Sequence, residues 1–331
     1  LIETADDIVT KGYDGTMDAN QMLDYAESGI FEISQLRQKG QYAHIRDVLI
    51  SNIEIIDKAS QMEGGLTGIT TGFKYLDTMT SGLQKSDLII LAARPAMGKT
   101  AFALSLALNA AVKGRASVMM FSLEMSKEQL VTRLLANEGL IENTRLATGN
   151  LRESDWEKIA QAASVLNRTN IRIDDNPLLT VADMNAKCRR LENLGLVVID
   201  YLQLMTSAGG RSYSGENRQQ AVADISRMLK IMAKELQVPV LCLSQLSRAN
   251  EKREDKRPML SDLRESGAIE QDADIVLFLY RDDYYNEDSE KRNIAECIVA
   301  KNRHGETGKV ELRWMPEYTA FSTLENRYEE E

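Results

Sequence analysis

The stretch that decides the fold is Ile89-Ile90-Leu91-Ala92-Ala93-Arg94-Pro95-Ala96-Met97-Gly98-Lys99-Thr100. Its first part is an apolar run typical of a buried strand, its second part is a tight turn, and a helix-prone segment follows over residues 101–112. A strand, a loop and a helix in this order predict a P-loop. The isolated tripeptide Gly-Lys-Thr would be weak evidence, but its position between a strand and a helix strongly favours nucleotide binding.

The positions of this loop have distinct predicted roles toward a nucleotide. Backbone N–H groups of a P-loop converge on phosphate oxygens, where the positive end of the following helix also points. The side chain of Lys99 would reach the terminal phosphates, and the hydroxyl of Thr100 would bind a Mg²⁺ ion that bridges them. The motif departs from its usual form at Ala93, where its first glycine is expected. The predicted nucleotide-binding positions of the loop are Ala96, Met97, Gly98, Lys99, Thr100 and Ala101.

The composition narrows the class of protein. A chain of 331 residues accommodates one large α/β core with a smaller appendage. The net charge of −10 argues against a protein that coats nucleic acid with its whole surface, but it leaves room for a focused basic channel. Three widely spaced cysteines indicate buried thiols in a reducing compartment, and the two histidines argue against a histidine-based zinc site.

No apolar run of the sequence approaches the length that spans a membrane, and no secretory signal is present. We therefore expect a soluble, cytoplasmic protein without a membrane partner. The sequence begins with Leu1 rather than Met, from which we expect that an N-terminal piece is missing.

The first 62 residues have helical patterns and no strand pattern. Asp18 and Gln21 form a variant of the capping box at the start of a first helix, and a second helix is predicted over residues 42–62. An apolar stripe runs along the first helix at spacings of three and four residues: Leu23, Ala26, Ile30 and Ile33. The predicted hinges around it are Gly12, Gly15 and Gly40. Either this helix packs on its own domain, or it docks on a neighbouring subunit.

From Gly68 onward, strand and helix patterns alternate. The predicted strands are 88–92, 117–122, 171–174, 196–200, 239–244 and 275–280. The predicted helices between them include 127–137, 153–166, 181–194 and 217–236. This alternation favours an α/β fold with a parallel sheet covered on both faces. A β-hairpin is predicted near the end, with strands 294–301 and 309–314 and a polar tip at 302–308.

Polar residues follow three of the predicted strands at the edge where ligands of such sheets bind. Asp200 ends one apolar strand and would hold Mg²⁺ through water. Glu124 follows another strand and would polarise the attacking water, or it is only a negative charge at a helix start ahead of Ser126. Gln245 follows a third strand, where it would sense the γ-phosphate or only cap a turn.

Four motifs together resemble those of the bacterial replicative helicases of the DnaB type, and the resemblance covers about residues 1–325. The motifs are Ala93-Arg94-Pro95-Ala96-Met97-Gly98-Lys99-Thr100, Phe121-Ser122-Leu123-Glu124-Met125, Ile199-Asp200-Tyr201-Leu202-Gln203-Leu204 and Asp262-Leu263-Arg264-Glu265-Ser266-Gly267. Alanine at position 93 is itself typical of that family. The resemblance implies a RecA-like P-loop motor domain over 66–331, with ATP and Mg²⁺ as cofactors. Residues 1–65 resemble the linker region that precedes the motor, with a subunit-docking helix at about 18–38.

The resemblance also assigns residues to the nucleotide. Lys99, Glu124 and Arg303 would be catalytic, and Thr100 and Asp200 would hold the metal. Arg303, at the predicted hairpin tip, matches the arginine finger that reaches the γ-phosphate of the neighbouring subunit. A planar, permanently charged guanidinium suits phosphate oxygens in a transition state, although basic residues are also common at solvated tips. The remaining nucleotide-binding residues would be Arg133, Gln245 and Lys301.

Two segments after strands are candidates for DNA contact. Residues 206–216 are small, polar and Gly-rich and contain Arg211, a composition that a disordered connector fits equally well. Residues 258–272 contain Arg264, Glu265 and Gly267, where a glycine and a helix start let the backbone approach a phosphate. In the family this second loop lies on the DNA backbone in the central channel. Aromatic residues are nearly absent from both segments, which favours contacts that do not depend on sequence.

By resemblance, the assembly is a ring of six subunits that travels 5′ to 3′ on single-stranded DNA at the replication fork. Primase and a helicase loader would be its partners. A strand-exchange recombinase shares the RecA-like core, but the predicted hairpin, the linker helix and the Asp-Leu-Arg-Glu-Ser-Gly motif disfavour it. A scaffold that binds nucleotide and barely hydrolyses it is disfavoured by the presence of both Glu124 and Arg303.

Overall fold

The computed structural model describes residues 2–15, 17–38, 44–60, 66–202, 216–247, 251 and 253–324. The chain divides into two compact units, Leu1–Gln61 and Met62–Glu331.

The first unit is helical in its described residues. Its helices are α1 (Ile2–Asp14), α2 (Ala19–Gln38) and α3 (Ile45–Ser60). The predicted cap of α2 is confirmed, since the backbone N–H of Gln21 donates to Oδ1 of Asp18 at 2.9 Å and the backbone N–H of Asp18 donates to Oε1 of Gln21 at 3.2 Å.

The sequence interpretation missed α1, and its placement of a hinge at Gly12 was wrong. Gly12 lies inside α1, in the last turn of that helix. Contacts to α2 stabilise this turn, because the Lys11 ammonium lies 4.3 Å from the ring centroid of Tyr25 and the Tyr25 hydroxyl donates to Asp7. A tertiary contact of this kind offsets the low helix propensity of glycine.

The second unit contains a mixed sheet with the strand order β3-β2-β4-β5-β1-β6-β7-β8-β9. The first six strands of this order are parallel, and β7, β8 and β9 continue the sheet antiparallel. The strands are β1 (Leu88–Ala93), β2 (Ser117–Ser122), β3 (Ile171–Asp174), β4 (Leu194–Asp200), β5 (Val240–Gln245), β6 (Ile275–Tyr280), β7 (Ile294–Asn302), β8 (Gly308–Met315) and β9 (Ala320–Thr323). The predicted α/β fold with a mainly parallel sheet is confirmed.

Helices connect the strands of this sheet. They are α4 (Lys74–Thr80), α5 (Lys99–Val112), α6 (Lys127–Gly139), α7 (Asn143–Thr148), α8 (Glu153–Asn167), α9 (Val181–Arg189), α10 (Glu216–Leu236) and α11 (Gly267–Asp272). Short 3₁₀ helices are formed by Leu260–Ser266, Asp282–Tyr284 and Pro316–Tyr318.

The central strand β1 is apolar throughout because helices cover both faces of the sheet. Successive residues of a strand point to opposite faces, so a strand covered on both sides needs apolar residues at every position. Ile89 and Leu91 pack on the face that α5 covers, while Leu88 and Ile90 pack on the face that α10 covers. Buried Cys188, Cys242 and Cys297 lie in these two cores.

The predicted elements of the second unit differ from the observed ones mainly at their ends. Every predicted strand is present, with its ends shifted by at most two residues. The helix predicted over 181–194 ends at Arg189, because β4 starts at Leu194 and pairs there with Ser117 of β2. The short strand β9 was not predicted, and it pairs with β8. Among the residues that the structure describes, no helix is long and apolar enough to cross a membrane.

Candidate nucleotide-binding site

The loop between β1 and α5 has the geometry of a phosphate cradle. Ala96 and Gly98 have positive φ values of 66° and 93°, which turn successive peptide units into one concave loop. The carbonyl of Gly98 accepts the N–H of Phe102 at 2.8 Å, so α5 starts directly at the loop. A Cβ at position 98 would lie 3.0 Å from the ring of Phe321 and 3.3 Å from Trp314. Both the conformation and the close packing therefore favour glycine at this position.

The alanine at position 93 fits the fold without strain. Ala93 is the last residue of β1, is buried, and pairs in register with Gln245 of β5 and Leu279 of β6. It is not among the residues with positive φ. The strand geometry at this position therefore does not require glycine.

A cavity of about 430 Å³ opens over the loop at the carboxyl ends of the parallel strands. Its position is the one expected for ligands of open α/β sheets. The residues that line it are Ala93, Arg94, Pro95, Ala96, Gly98, Lys99, Thr100, Ala101, Glu124, Arg133, Tyr201, Gln245, Trp314 and Thr319. Of the residues predicted to contact nucleotide or metal, only Met97, Asp200, Lys301 and Arg303 are absent from this lining. Met97 is buried in the core beside the loop.

Asp200 lies just behind the lining and contacts it through Thr100. The hydroxyl of Thr100 donates to Oδ2 of Asp200 at 2.8 Å. Burial raises the pKa of Asp200, opposed by the charge of Lys99 and by the Thr100 hydrogen bond. Burial likewise lowers the pKa of Lys99, opposed by the charges of Asp200 and Glu124. The ammonium of Lys99 also lies 4.4 Å from the ring centroid of Tyr201.

The donor set beside Lys99 fits a hard divalent cation. Oδ1 of Asp200 is buried and has no hydrogen-bond partner among the described residues. A buried carboxylate oxygen in that state is costly unless a cation or water satisfies it. Mg²⁺ prefers oxygen ligands and keeps several waters, so the Thr100 hydroxyl and the Asp200 carboxylate form a suitable pair of groups for it.

Glu124 lines the cavity from the segment that follows β2. The backbone N–H of Leu123 donates to the carbonyl of Asp200 at 2.8 Å, which ties this segment to the end of β4. Ser126 caps α6 in a reciprocal capping box with Gln129. Capping of α6 therefore does not depend on Glu124, whose carboxylate is exposed and lowers the cost of a charged Lys99.

Two cationic residues near the loop were missed in the sequence. The guanidinium of Arg94 donates to Oε1 of Glu251 at 2.7 and 2.9 Å and to the carbonyl of Leu246 at 3.0 Å, which ties the loop to the segment after β5. No local pattern could have revealed a partner 157 residues away. Arg281 directly follows β6 and its guanidinium lies 5.3 Å from the Trp314 ring centroid. The strand-end rule that selected Asp200 would also have selected Arg281.

Arg303 lies at the opposite edge of the sheet from the cavity of its own chain. Its backbone N–H donates to the carbonyl of Asp274 at 3.0 Å, and its guanidinium donates to Oδ1 of Asp274 at 3.2 Å. The Asp274 carboxylate also accepts the N–H of Leu88, the first residue of β1. The phosphate loop follows the last residue of that strand, roughly 17 Å away at the usual rise per residue. The structure therefore does not bring Arg303 to the cavity of its own subunit.

Lys301 is also engaged away from the cavity. Its ammonium donates to the carbonyls of Glu270 at 2.6 Å and Ala273 at 2.7 Å, at the carboxyl end of α11. A cation is favourable at this end of a helix, where carbonyls lack partners. Burial lowers the pKa of Lys301, as does the charge of Arg303, and nearby carboxylates including Asp274 oppose the shift.

The predicted DNA-contact residues are described only in part. Arg211 lies outside the described residues. Arg264 and Glu265 fall in the 3₁₀ helix Leu260–Ser266, and Gly267 is the first residue of α11; the side chains at 264–267 lie outside the described part. Asp262 in the same segment is buried and accepts from Arg253 at 2.6 and 3.1 Å and from the N–H of Met259 at 2.9 Å. Asp262 thus anchors the start of this segment, a role that the sequence interpretation missed.

The sheet, the loop and the cavity define a P-loop nucleotide-binding protein with a RecA-like α/β fold. The sequence profile of the DnaB-like helicase C terminal domain matches residues 68–323. The chain is 53% identical to the replicative DNA helicase DnaB of Geobacillus stearothermophilus over 100% of its own length and 73% of that protein. It is 51% identical, with the same coverage, to the replicative DNA helicase DnaC of Bacillus subtilis (strain 168). The chain belongs to the DnaB-like replicative DNA helicases.

Solved structures agree with this assignment. The ATPase domain of G40P superposes with a TM-score of 0.80 at 42% identity, covering 86% of this chain and 100% of that domain. A DnaB-like replicative helicase, described with its interactions with primase, superposes with a TM-score of 0.84 at 39% identity, covering 98% of this chain and 75% of that one. The resemblance found in the sequence is thus confirmed, and the chain is an ATP-driven motor of a replicative DNA helicase.

Proposed function

We propose that this motor hydrolyses Mg²⁺·ATP at sites shared between subunits of a ring, as it travels 5′ to 3′ on single-stranded DNA and unwinds the duplex ahead. The observation that carries the proposal is the distance, on one chain, between the P-loop cavity and Arg303. The cavity over the P-loop lies at the carboxyl edge of the sheet, and Arg303 lies at the amino edge. Because these two parts of the active site lie at opposite edges of the sheet, we infer that a complete site forms only between two neighbouring subunits.

The residues of the cavity have distinct roles in this proposal. Backbone N–H groups from Ala96 to Ala101 bind the phosphates, and Lys99 balances the charge of their terminal oxygens. Thr100 and Asp200 hold Mg²⁺, which would neutralise developing charge on the phosphate oxygens when it is bound. Glu124 orients the attacking water and accepts its proton. Gln245 senses the γ-phosphate from the end of β5, and Arg133 contacts the nucleotide from α6.

Arg303 completes the site of the neighbouring subunit in this proposal, with Lys301 beside it. Charge that develops on the transferred phosphoryl group is stabilised by a guanidinium already in place. Repetition of this head-to-tail contact closes a ring when the rotation between subunits allows it. We propose six subunits per ring, in accord with the family, and the helix α2 as a second contact between neighbours.

We propose that Arg264, Glu265 and Gly267 contact the DNA backbone, with Arg211 on the preceding segment. Phosphate contacts carry no sequence information, so affinity would be similar for different single strands and would fall as salt rises. A net charge of −10 fits a channel in which only a few cations face the DNA.

We further propose that primase and a helicase loader are its partners and that it works at the replication fork in the cytoplasm. Support for primase comes from the DnaB-like relative described with its interactions with primase. Support for the location comes from relatives that are replicative DNA helicases.

The proposal is tested by the coupling of hydrolysis to unwinding. ATP hydrolysis by the chain should rise when single-stranded DNA is added, and a forked duplex with a free 5′ tail should be unwound. Lys99→Ala provides the control, since it should abolish both activities. Strand exchange without fork unwinding would instead indicate a recombinase, and nucleotide binding with negligible hydrolysis would indicate a scaffold.

A further inference from the structure

Asp274 joins three elements at the amino edge of the sheet. It directly precedes β6, and its side chain is only 4% exposed. Its Oδ2 accepts the backbone N–H of Leu88 at 2.8 Å, at the start of β1, and also accepts from the ammonium of Lys230 on α10. Its other oxygen, Oδ1, accepts from Nη1 of Arg303 at 3.2 Å.

The same short segment holds Arg303 at two further points. The backbone N–H of Arg303 donates to the carbonyl of Asp274 at 3.0 Å, and Nη2 donates to the carbonyl of Gln271 at 2.7 Å. The side chain of Arg303 nevertheless remains 47% exposed. One side of the planar guanidinium is therefore fixed on its own subunit, and the rest is open to an incoming group.

We propose that Asp274 is a positioning residue for the trans-acting Arg303, an inference that rests on the proposed function. An arginine loses rotamer freedom when it binds a phosphate, and a side chain that is already ordered loses less. Asp274 would hold the guanidinium ordered at the amino edge of the sheet, away from its own cavity, so that it enters the neighbour's cavity in one orientation.

The surroundings of Asp274 allow Arg303 to move toward a phosphate without leaving a bare buried charge. When Arg303 shifts, the Asp274 carboxylate keeps the ammonium of Lys230 and the N–H of Leu88. A buried carboxylate that lost all of its partners would be strongly unfavourable. Lys230 is itself held by the carbonyl of Ser86 at 2.7 Å, so it stays in place during such a shift.

The first test is the steady-state kinetics of Asp274→Asn. Misplacement of a catalytic group by about 1 Å can cost up to about 100-fold, so we expect kcat to fall by about tenfold to 100-fold. KM for ATP should stay near that of the parent, because the P-loop and metal residues are intact. Lys230→Gln is the matched control, since it removes the other cation from Asp274 and leaves Arg303 docked. An equal loss in both variants would mean that Asp274 only maintains the fold, and would overturn the proposal.

The second test asks in which subunit Asp274 acts. Assemblies that contain two kinds of subunit are purified through two different affinity tags. Mixed with Lys99→Ala, the Asp274→Asn subunit receives an arginine finger from a neighbour whose Asp274 is intact, so ATPase activity should partly return. Mixed with Arg303→Ala, activity should stay low, because Arg303 is then present only on the Asp274→Asn subunit. The opposite pattern would place the defect in the subunit's own cavity and overturn the proposal.

A third mixture separates this inference from the function on which it rests. Lys99→Ala and Arg303→Ala subunits together report on the trans action of Arg303 alone. Recovery in that mixture, without the directional pattern for Asp274→Asn, would reject Asp274 and retain the shared sites. If Asp274→Asn does not assemble, Asp274→Glu takes its place, since it keeps a charge for Lys230 and displaces the oxygen that Arg303 contacts.

Discussion

At the residue scale, the cavity depends on a few side chains that approach from different strand ends. Asp200 is buried and Lys99 is half-buried, and each reduces the cost of charge on the other. Glu124 adds a second carboxylate from the segment after β2. The protein thus brings opposite charges together at the carboxyl ends of apolar parallel strands, and such groups of interacting titratable residues are typical of catalytic sites.

Glu124→Gln should separate nucleotide binding from hydrolysis. The amide keeps the size of the side chain but cannot accept a proton, so turnover should fall by at least about 100-fold. Binding of a fluorescent ATP analogue should remain near that of the parent, because the loop and the metal residues are unchanged. Hydrolysis at the parent rate would show that Glu124 is not the base.

Asp200→Asn should remove the magnesium-dependent part of nucleotide binding. The measurement is the rise in melting temperature caused by a non-hydrolysable ATP analogue, with Mg²⁺ and with a chelator. A ligand that binds only the native state raises its stability by an amount that grows with the logarithm of its affinity, so the parent should gain more with Mg²⁺. The variant should gain about equally in both conditions. Asp174→Asn is the control, since Asp174 ends β3, which β2 separates from β4, and pairs with Lys187 away from the cavity. An unchanged magnesium effect in Asp200→Asn would contradict the assignment.

At the element scale, α11 and the hairpin of β7 and β8 form one structural group. Lys301 and Arg303 of the hairpin donate to three carbonyls around the end of α11. At the other side, Arg257 forms a bidentate pair with the buried Glu296 of β7 at 2.8 and 3.0 Å. The segment proposed to contact DNA is therefore attached to the strand that leads to the proposed arginine finger.

Lys301→Met should loosen the end of α11 without unfolding the sheet. Hydrogen bonds from a charged donor contribute about 1.5–3 kcal/mol, so amide exchange over residues 267–273 should speed up by about tenfold or more. Hydrogen exchange followed by mass spectrometry measures this locally, and the peptides of β1 serve as the internal reference. Lys309→Met is the matched control from the same hairpin, because Lys309 pairs with Glu296 instead. Unchanged exchange in α11 would mean that the Lys301 contacts contribute little to its stability.

Local patterns predicted much of this architecture. Apolar strands and amphipathic helices are recognisable from a few consecutive residues of sequence. The cap of α2 by Asp18 and Gln21 is recognisable in the same way. The rule that ligands bind at the carboxyl ends of parallel strands then placed Glu124 and Gln245 at one cavity. That rule works because the strand ends of a parallel sheet are adjacent in space whatever their separation in sequence.

The parts that were missed depend on pairings between distant residues. Arg94 meets Glu251 across 157 residues, and Arg303 meets Asp274 only because β6 and β7 are antiparallel neighbours. The four residues of β9 do not alternate between apolar and polar, and their strand identity depends on pairing with β8. No window of sequence contains such contacts, so they become visible only when the chain is folded.

At the scale of the whole molecule, the proposed shared active sites require contacts between subunits. In the first unit, two apolar residues of α2 are largely exposed, Leu23 at 62% and Ile30 at 56%. Exposed apolar faces on a helix favour association with another surface. The two interpretations of this helix, packing within its own subunit or docking on a neighbour, differ in their consequence for assembly.

Deletion of residues 1–40 should shift the protein from rings toward monomers at the same concentration. The physical reason is the loss of the apolar face of α2 from the contact between neighbours. Sedimentation velocity measures the distribution, and the double variant Leu23→Ser/Ile30→Ser tests the face without shortening the chain. Unchanged sedimentation of both proteins would mean that α2 packs within its own subunit.

The central claim is that each active site is shared between two chains, and one mixing experiment tests it most directly. Arg303→Ala and Lys99→Ala should each be nearly inactive alone, since an arginine finger contributes about 10³-fold or more in related P-loop enzymes. In assemblies shown to contain both variants, some interfaces join an intact Lys99 to an intact Arg303. We therefore expect ATP hydrolysis to return in part in these mixtures. Mixed assemblies that remain as inactive as either variant would contradict this claim.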